Sequence, residues 1–293
     1  MVRPINGAIE STMFREKTVQ PTRRQFVAGA AAAIAAPLVG AQAPESTLSR
    51  VRRTGQLRLG VVPGAVPYAV KDLVSGEYQG FCIDLGRDLA RHFQADAEWV
   101  DTSWGNAILD LRTGKIDAHF GLAPTAQRRQ AVDFTEPLFN NMNSVVARKG
   151  LQFQTWADID RPGVTVAVDV GSSHDQLATR LLTKADVRRF DSISAATLAV
   201  QSGRADCQIL AILLSTALVA KRPDIGYLVL PTPYDTAPSC IGVRQQSDPQ
   251  FVQMLNAWIA EARAGGRVRA ALVANMHRLA KVSVDSFPPQ VRF

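Results

Sequence analysis

Arg128 is the residue of this 293-residue chain whose setting most clearly invites chemistry. It follows the loop Leu122-Ala123-Pro124-Thr125, just inside the start of a short helix, and that loop carries no acid to pair with it. A guanidinium is a planar, permanently charged fork that can hold a carboxylate through two parallel hydrogen bonds. Arg128 is therefore placed to meet a carboxylate from outside; the alternative is a solvated arginine like its neighbour Arg129. Gly171-Ser172-Ser173 precedes a second helix, whose free N–H groups and dipole favour an anion, although the same residues would also serve as an ordinary N-cap. His174, just inside that helix, can face a ligand. His119 falls on a strand and is expected in packing, and His92 and His277 lie on helix surfaces. No HExxH, paired CxxC or glycine-rich phosphate loop occurs, so neither a metal nor a cofactor is expected.

The elements that must position these groups follow from periodicity. In the stretch 104–138, Ala107, Ile108 and Leu111 recur at helical spacing, and Gly114 stops the helix as a residue free to adopt positive φ would. Residues 116–121 then read as a strand ending in the loop before Arg128, the end of an α/β sheet where ligands gather. Upstream, 57–62 reads as a first buried strand, 81–93 as an amphipathic helix and 97–100 as a strand. Downstream, strands are expected at 143–149, 164–168, 187–190, 206–210, 227–230 and 240–244. Helices are expected from 171 and at 194–203, 212–221, 251–264 and 268–279. Ser202-Gly203-Arg204-Ala205-Asp206 echoes Thr113-Gly114-Lys115-Ile116-Asp117, which suggests two lobes built alike. Alternating strands and helices in this order predict an α/β fold.

The length exceeds one ordinary hydrophobic core, which also favours two lobes. The first 43 residues read as an export address. Thr22-Arg23-Arg24-Gln25-Phe26 matches the twin-arginine pattern, and the apolar run 26–39 is too short for a membrane span of roughly 20 residues. Cleavage is expected after Ala41, Met13 is an alternative start, and no cysteine near the cut suggests a lipoprotein. This segment carries +3 of the chain's +7 charge, leaving a dispersed +4, with no basic stripe interleaved with aromatics to suit nucleic acid. Cys82, Cys207 and Cys240 are far apart in sequence, and three free thiols are favoured slightly over a disulfide.

The stretch LRTGKIDAHFGLAPTAQRRQAVDFTEPL resembles the fingerprint of family 3 extracytoplasmic solute-binding proteins, with Gly114, Asp117, Ala118, Thr125, Arg128, Asp133, Phe134, Thr135 and Pro137 in register. The resemblance spans roughly residues 56–280. It implies a two-lobed, type II periplasmic-binding-protein fold with the ligand cleft between lobes joined by two crossover strands. Lobe 1 would comprise 56–146 and 241–283, and lobe 2 147–240. It further implies a monomeric, periplasmic, non-catalytic protein that passes a small carboxylate-bearing solute, an amino acid or a related organic acid, to an ABC permease. On this resemblance Arg128 grips the carboxylate, Ser172 and Ser173 meet it from the opposite lobe, and Trp104 covers the ligand body. Thr125, Ala123, His174 and Tyr68 complete the expected site. The departures are specific. An acid that pairs with a ligand ammonium is replaced by Ala211, a polar residue by Val62, an aromatic by Ala65 and a hydroxyl by Ala123. Asp191, Asp175 or Glu77 could substitute for the missing acid. Some relatives of the family are cyclohexadienyl dehydratases, so an enzyme on the same scaffold is the alternative, as is an accessory or sensor protein of a periplasmic oxidoreductase.

Overall fold

The computed structural model describes residues 45–245, 249–288 and 290–291; the expected export address lies outside them. The chain runs α1 (Thr47–Thr54), β1 (Gln56–Val61), β2 (Val70–Lys71), β3 (Tyr78–Gln79), α2 (Phe81–His92), β4 (Asp96–Asp101), α3 (Ala107–Arg112), β5 (Ala118–Leu122), α4 (Ala126–Arg129) and β6 (Val132–Phe134). It continues with β7 (Phe139–Ala147), α5 (Trp156–Ile159), β8 (Thr165–Asp169), α6 (Ser173–Leu181), β9 (Asp186–Phe190), α7 (Ile193–Gln201), β10 (Cys207–Ala211), α8 (Ile212–Lys221) and β11 (Tyr227–Val229). β12 (Thr236–Arg244), α9 (Gln250–Ala264) and α10 (Arg267–Ala280) follow.

The strands form two similar halves. In the first, β4, β1 and β5 are parallel, and β12 joins β5 antiparallel with β6 on its other side. In the second, β9, β8 and β10 are parallel, and β7 joins β10 antiparallel, with β11 also on β7. β7 and β12 are the crossovers: Phe139–Met142 pairs with Thr236–Ser239. Beyond that ribbon, Asn143–Ala147 pairs in the second lobe and Cys240–Val243 in the first. Residues 143–146, expected with the first lobe, thus pair in the second lobe's sheet, because a crossover strand changes partners partway along its length.

The repeated glycine–aspartate motif has a shared physical role. Gly114 and Gly203 both adopt φ near +70°, ending their helices. Asp117 then accepts the Arg58 N–H at 2.7 Å and its Nη2 at 2.9 Å, with Arg50 as a second cationic partner. Asp206 likewise accepts the Thr165 N–H at 2.9 Å and Arg148 Nη2 at 2.8 Å. The strands start later than expected, at Ala118 and Cys207, because the preceding backbone turns back onto its helix. Ile116 N–H donates to Asp110 O, and Ala205 N–H to Ala199 O. Each clamp ties a helix–strand turn to the first strand of its lobe.

The first lobe buries Leu57, Leu59, Phe81 and Leu89 with Phe251, Leu255 and Trp258 of α9; the second buries Val145, Val166, Val168, Leu177 and Ile209. Cys82, Cys207 and Cys240 are buried free thiols, raised above their usual pKa chiefly by burial. No described helix is long and apolar enough to cross a membrane. Removing the Asp117 carboxylate should expose the value of its clamp. Asp117→Ala is expected to cost about 3 kcal/mol, the scale for removing the buried member of an ion pair, measured by urea unfolding. A loss below about 1 kcal/mol would show that the clamp contributes little.

Candidate functional site

Arg128 sits on α4, a helix of a single turn started by Thr125, whose Oγ1 accepts the Arg128 N–H at 3.3 Å. That anchor turns the arginine inward, and the residue is 3% exposed. Its Nη1 donates to Ala123 O at 3.2 Å, and its Nη2 to Trp104 O at 3.0 Å and to Gly171 O at 3.3 Å. The last bond reaches the second lobe. Nε has no hydrogen-bond partner. Burial lowers the guanidinium pKa to about 10, partly offset by the charge of Asp169, so it remains a cation at neutral pH.

The lobes meet beside these bonds with little room. A Cβ on Gly105 would come within 2.8 Å of Val170 O, and one on Gly171 within 2.9 Å of the Gly105 Cα. Only glycines permit this backbone contact. Directly inside it lies a cavity whose free space is about 30 Å³. Tyr68, Trp104, Ala123 and Arg128 line it from the first lobe, and Ser172, Ser173 and His174 from the second. Thr125 does not reach it and acts through the helix start.

Each second-lobe residue has a defined local reason for its place. Ser172 caps α6, its Oγ accepting the Asp175 N–H at 3.1 Å. Asp175 is consumed structurally, accepting Gly171 N–H at 3.0 Å and Arg189 Nε at 2.8 Å. His174 directs Nδ1 towards Asp169 Oδ1 at 3.9 Å, too long for a hydrogen bond. Of the acids expected to replace the one missing at Ala211, Glu77 and Asp191 are exposed, and none lines the cavity. Trp104 packs edge-on against Tyr68, with ring centroids 5.7 Å apart, and tilts over His119 at 5.4 Å, so one face of the indole is committed to the protein.

The crossover strands, expected as connectors, add residues that were not among the expected site residues. Asn141 and Asn143 of β7 and Ser239 of β12 also line the cavity. Asn141 Nδ2 donates to the Tyr68 hydroxyl at 2.5 Å, and Asn143 Nδ2 to Asp235 Oδ1 at 2.6 Å. Five buried polar atoms of the lining have no hydrogen-bond partner: Arg128 Nε, Trp104 Nε1, His174 Nδ1, Asn141 Oδ1 and Ser239 Oγ. Buried polar groups are rarely left unpaired, and such a concentration marks a place for a polar guest. Arg128 Nε and Trp104 Nε1 are donors, Asn141 Oδ1 is a neutral acceptor, and no carboxylate lines the cavity.

The profile of bacterial extracellular solute-binding proteins, family 3, matches residues 57–273. A cyclohexadienyl dehydratase of Pseudomonas aeruginosa is 25% identical over 231 residues, covering 78% of this chain and 85% of that protein. A glutamine-binding protein of Geobacillus stearothermophilus is 26% identical over 208 residues, covering 69% and 78%. Among solved structures, an ancestral amino acid-binding protein described as a precursor of cyclohexadienyl dehydratase superposes with a TM-score of 0.71 at 29% identity, covering 80% of this chain and 100% of that one. The architecture is the two-lobed, type II periplasmic-binding-protein fold.

His119 supports the indole from beneath and gives the site a pH signature. Its Nδ1 lies 2.8 Å from Phe120 O, and burial, with a smaller contribution from the Arg128 charge, lowers its pKa from 6.5 to about 4. Between these values the unfolded chain binds a proton that the folded chain refuses, so stability should fall as pH drops through that window. The expected loss is on the order of 3 kcal/mol. Urea unfolding at pH 7 and pH 4.5 should show a smaller loss in His119→Gln than in the parent; equal losses would contradict this assignment.

Proposed function

The chain belongs to the bacterial extracellular solute-binding proteins, family 3, and we propose that it captures a small carboxylate-bearing solute between its lobes and delivers it to an ABC permease. The observation that carries this reading is the buried Arg128 guanidinium, bonded to both lobes and retaining an unpartnered Nε at the cavity. Ser173, at the start of α6, supplies a backbone N–H group and the helix dipole from the facing lobe, and Ser172 holds that helix start in place as its cap, its own N–H donating to Asp169 O. Trp104 and Tyr68 close over the body of the solute.

The ligand is a small organic carboxylate in preference to a standard zwitterionic amino acid. A buried ammonium without an anion to offset its desolvation costs several kcal/mol, and no acid lines the cavity. Neutral acceptors such as Asn141 Oδ1 suit a hydroxyl or amide better than a second charge. The protein works as a monomer in the periplasm, and residues 1–43 act as its twin-arginine export signal, supported by Arg23-Arg24 and the short apolar run after them. Substituting both arginines with lysine would leave precursor in the cytoplasm, visible by fractionation, whereas unchanged export would reject that route. The reading assigns no catalytic step, and the similarity to a dehydratase is accounted for by the shared scaffold.

A thermal-shift screen of amino acids and their deaminated acids should select an acid, which calorimetry then quantifies. Arg128→Ala is expected to weaken that acid by about 2 kcal/mol or more, close to thirtyfold, the scale of a lost charge-assisted pair. The acid should be recovered unchanged by mass spectrometry. Unaltered affinity in the variant would reject the site, and loss of water or carbon dioxide from the acid would reject the binding-only reading.

A further inference from the structure

Two larger spaces border the central cavity, each lined by both apolar and cationic residues. On one side, Arg112, Arg180 and Arg189 join Arg128 around an opening of about 760 Å³ between α3 and α6, with Asp175 as its one acid. On the other, a groove of about 330 Å³ runs between the loop after β1 and helices α7 and α8. Its walls include Val66, Ile193, Leu198, Leu214 and Leu218, and none of its lining residues is acidic. Arg128 borders both the central cavity and the arginine-lined opening, whereas Leu214 borders both the cavity and the groove. The central cavity is therefore bordered at Arg128 by the arginine-lined opening and at Leu214 by a groove whose leucine, isoleucine and valine wall ends at Lys221 and Arg222.

We propose that the ligand is an amphipathic carboxylate, with its head on Arg128, the carbons next to it under Trp104 and Tyr68, and an apolar tail that passes Leu214 into this groove. The proposal rests on the carboxylate reading of Arg128 and adds the class of the remainder of the molecule. The central cavity, at about 30 Å³, has room for little more than water. The groove, at about 330 Å³, falls within the range of ordinary ligand pockets. Leu198 borders it while 54% exposed, apolar surface that a guest would cover. Lys221 and Arg222 stand at the same groove, and among the described residues no acid forms an ion pair with Arg222, whose Nη1 donates to Gln201 Oε1 at 2.7 Å. Their charge disfavours a cationic tail, so a lysine-like or arginine-like side chain is the wrong shape of charge for this cleft.

The test is a series of straight-chain acids, from propionate to heptanoate, titrated calorimetrically into the full mature chain. Affinity should rise roughly fourfold for each added methylene, the value of transferring one methylene out of water. Ser194→Trp fills the groove's mouth from an exposed position; it should keep propionate binding and flatten the rise. Leu198→Glu, also at an exposed position, repeats the test through charge should the tryptophan variant fail to fold. A flat series in the parent protein would overturn the apolar-body proposal while leaving Arg128 as the carboxylate site. A rise that persists in both variants would place the chain elsewhere and overturn it too. Failure of every acid to bind would overturn both the proposal and the reading beneath it.

Discussion

A buried guanidinium at the seam between two lobes is the constraint around which the rest is arranged. Removing such a cation from water costs several kcal/mol unless bonds replace the lost hydration. Here the replacements are three backbone carbonyls, from Ala123, Trp104 and Gly171, which carry partial rather than full negative charge. The nearest influence of an acid is Asp169, acting through space. Backbone at Gly105 and Gly171 must approach closely for the Gly171 carbonyl to take part, and any side chain at either position would separate them. Charge, burial and lobe contact are thus one problem, and the proposed carboxylate would add the full negative charge that the three carbonyls lack.

The construction of the lobes lets that seam form without distorting them. Asp117 and Asp206 fix corresponding turns to corresponding first strands, so each sheet is braced by its own clamp. The lobes are linked through β7 and β12, which pair with each other for four residues before diverging into different sheets. A short antiparallel ribbon of this kind is the natural place for relative motion of two otherwise well-packed bodies. It also presents Asn141, Asn143 and Ser239 to the cavity, so the connecting segment and the cavity lining share residues.

Much of this was legible in the sequence because it depends on local periodicity. The α3–β5–α4 stretch, the positive-φ glycine at 114 and the echoed motif at 202–206 all follow from spacing and turn chemistry. The resemblance placed Arg128, Trp104, Tyr68, Ala123, Ser172, Ser173 and His174, which the fold gathers around one cavity. What escaped depends on tertiary contact. Asn141 and Ser239 lie just ahead of the strands expected from 143 and 240, in the parts of β7 and β12 that pair with each other, with no local motif to mark them. The Gly105–Gly171 approach joins residues from different lobes, and neither glycine announces a partner. Asp175, a plausible acceptor by position, is taken by Arg189, fourteen residues away on β9.

The most direct measurement is a crystal structure of the protein with pentanoate bound. Carboxylate oxygens are expected about 2.7–2.9 Å from Arg128 nitrogens, as in charge-assisted pairs, with Ser172 and Ser173 closing from the other lobe. A carboxylate held on any other residue, with Arg128 still engaged only by its three carbonyls, would contradict it.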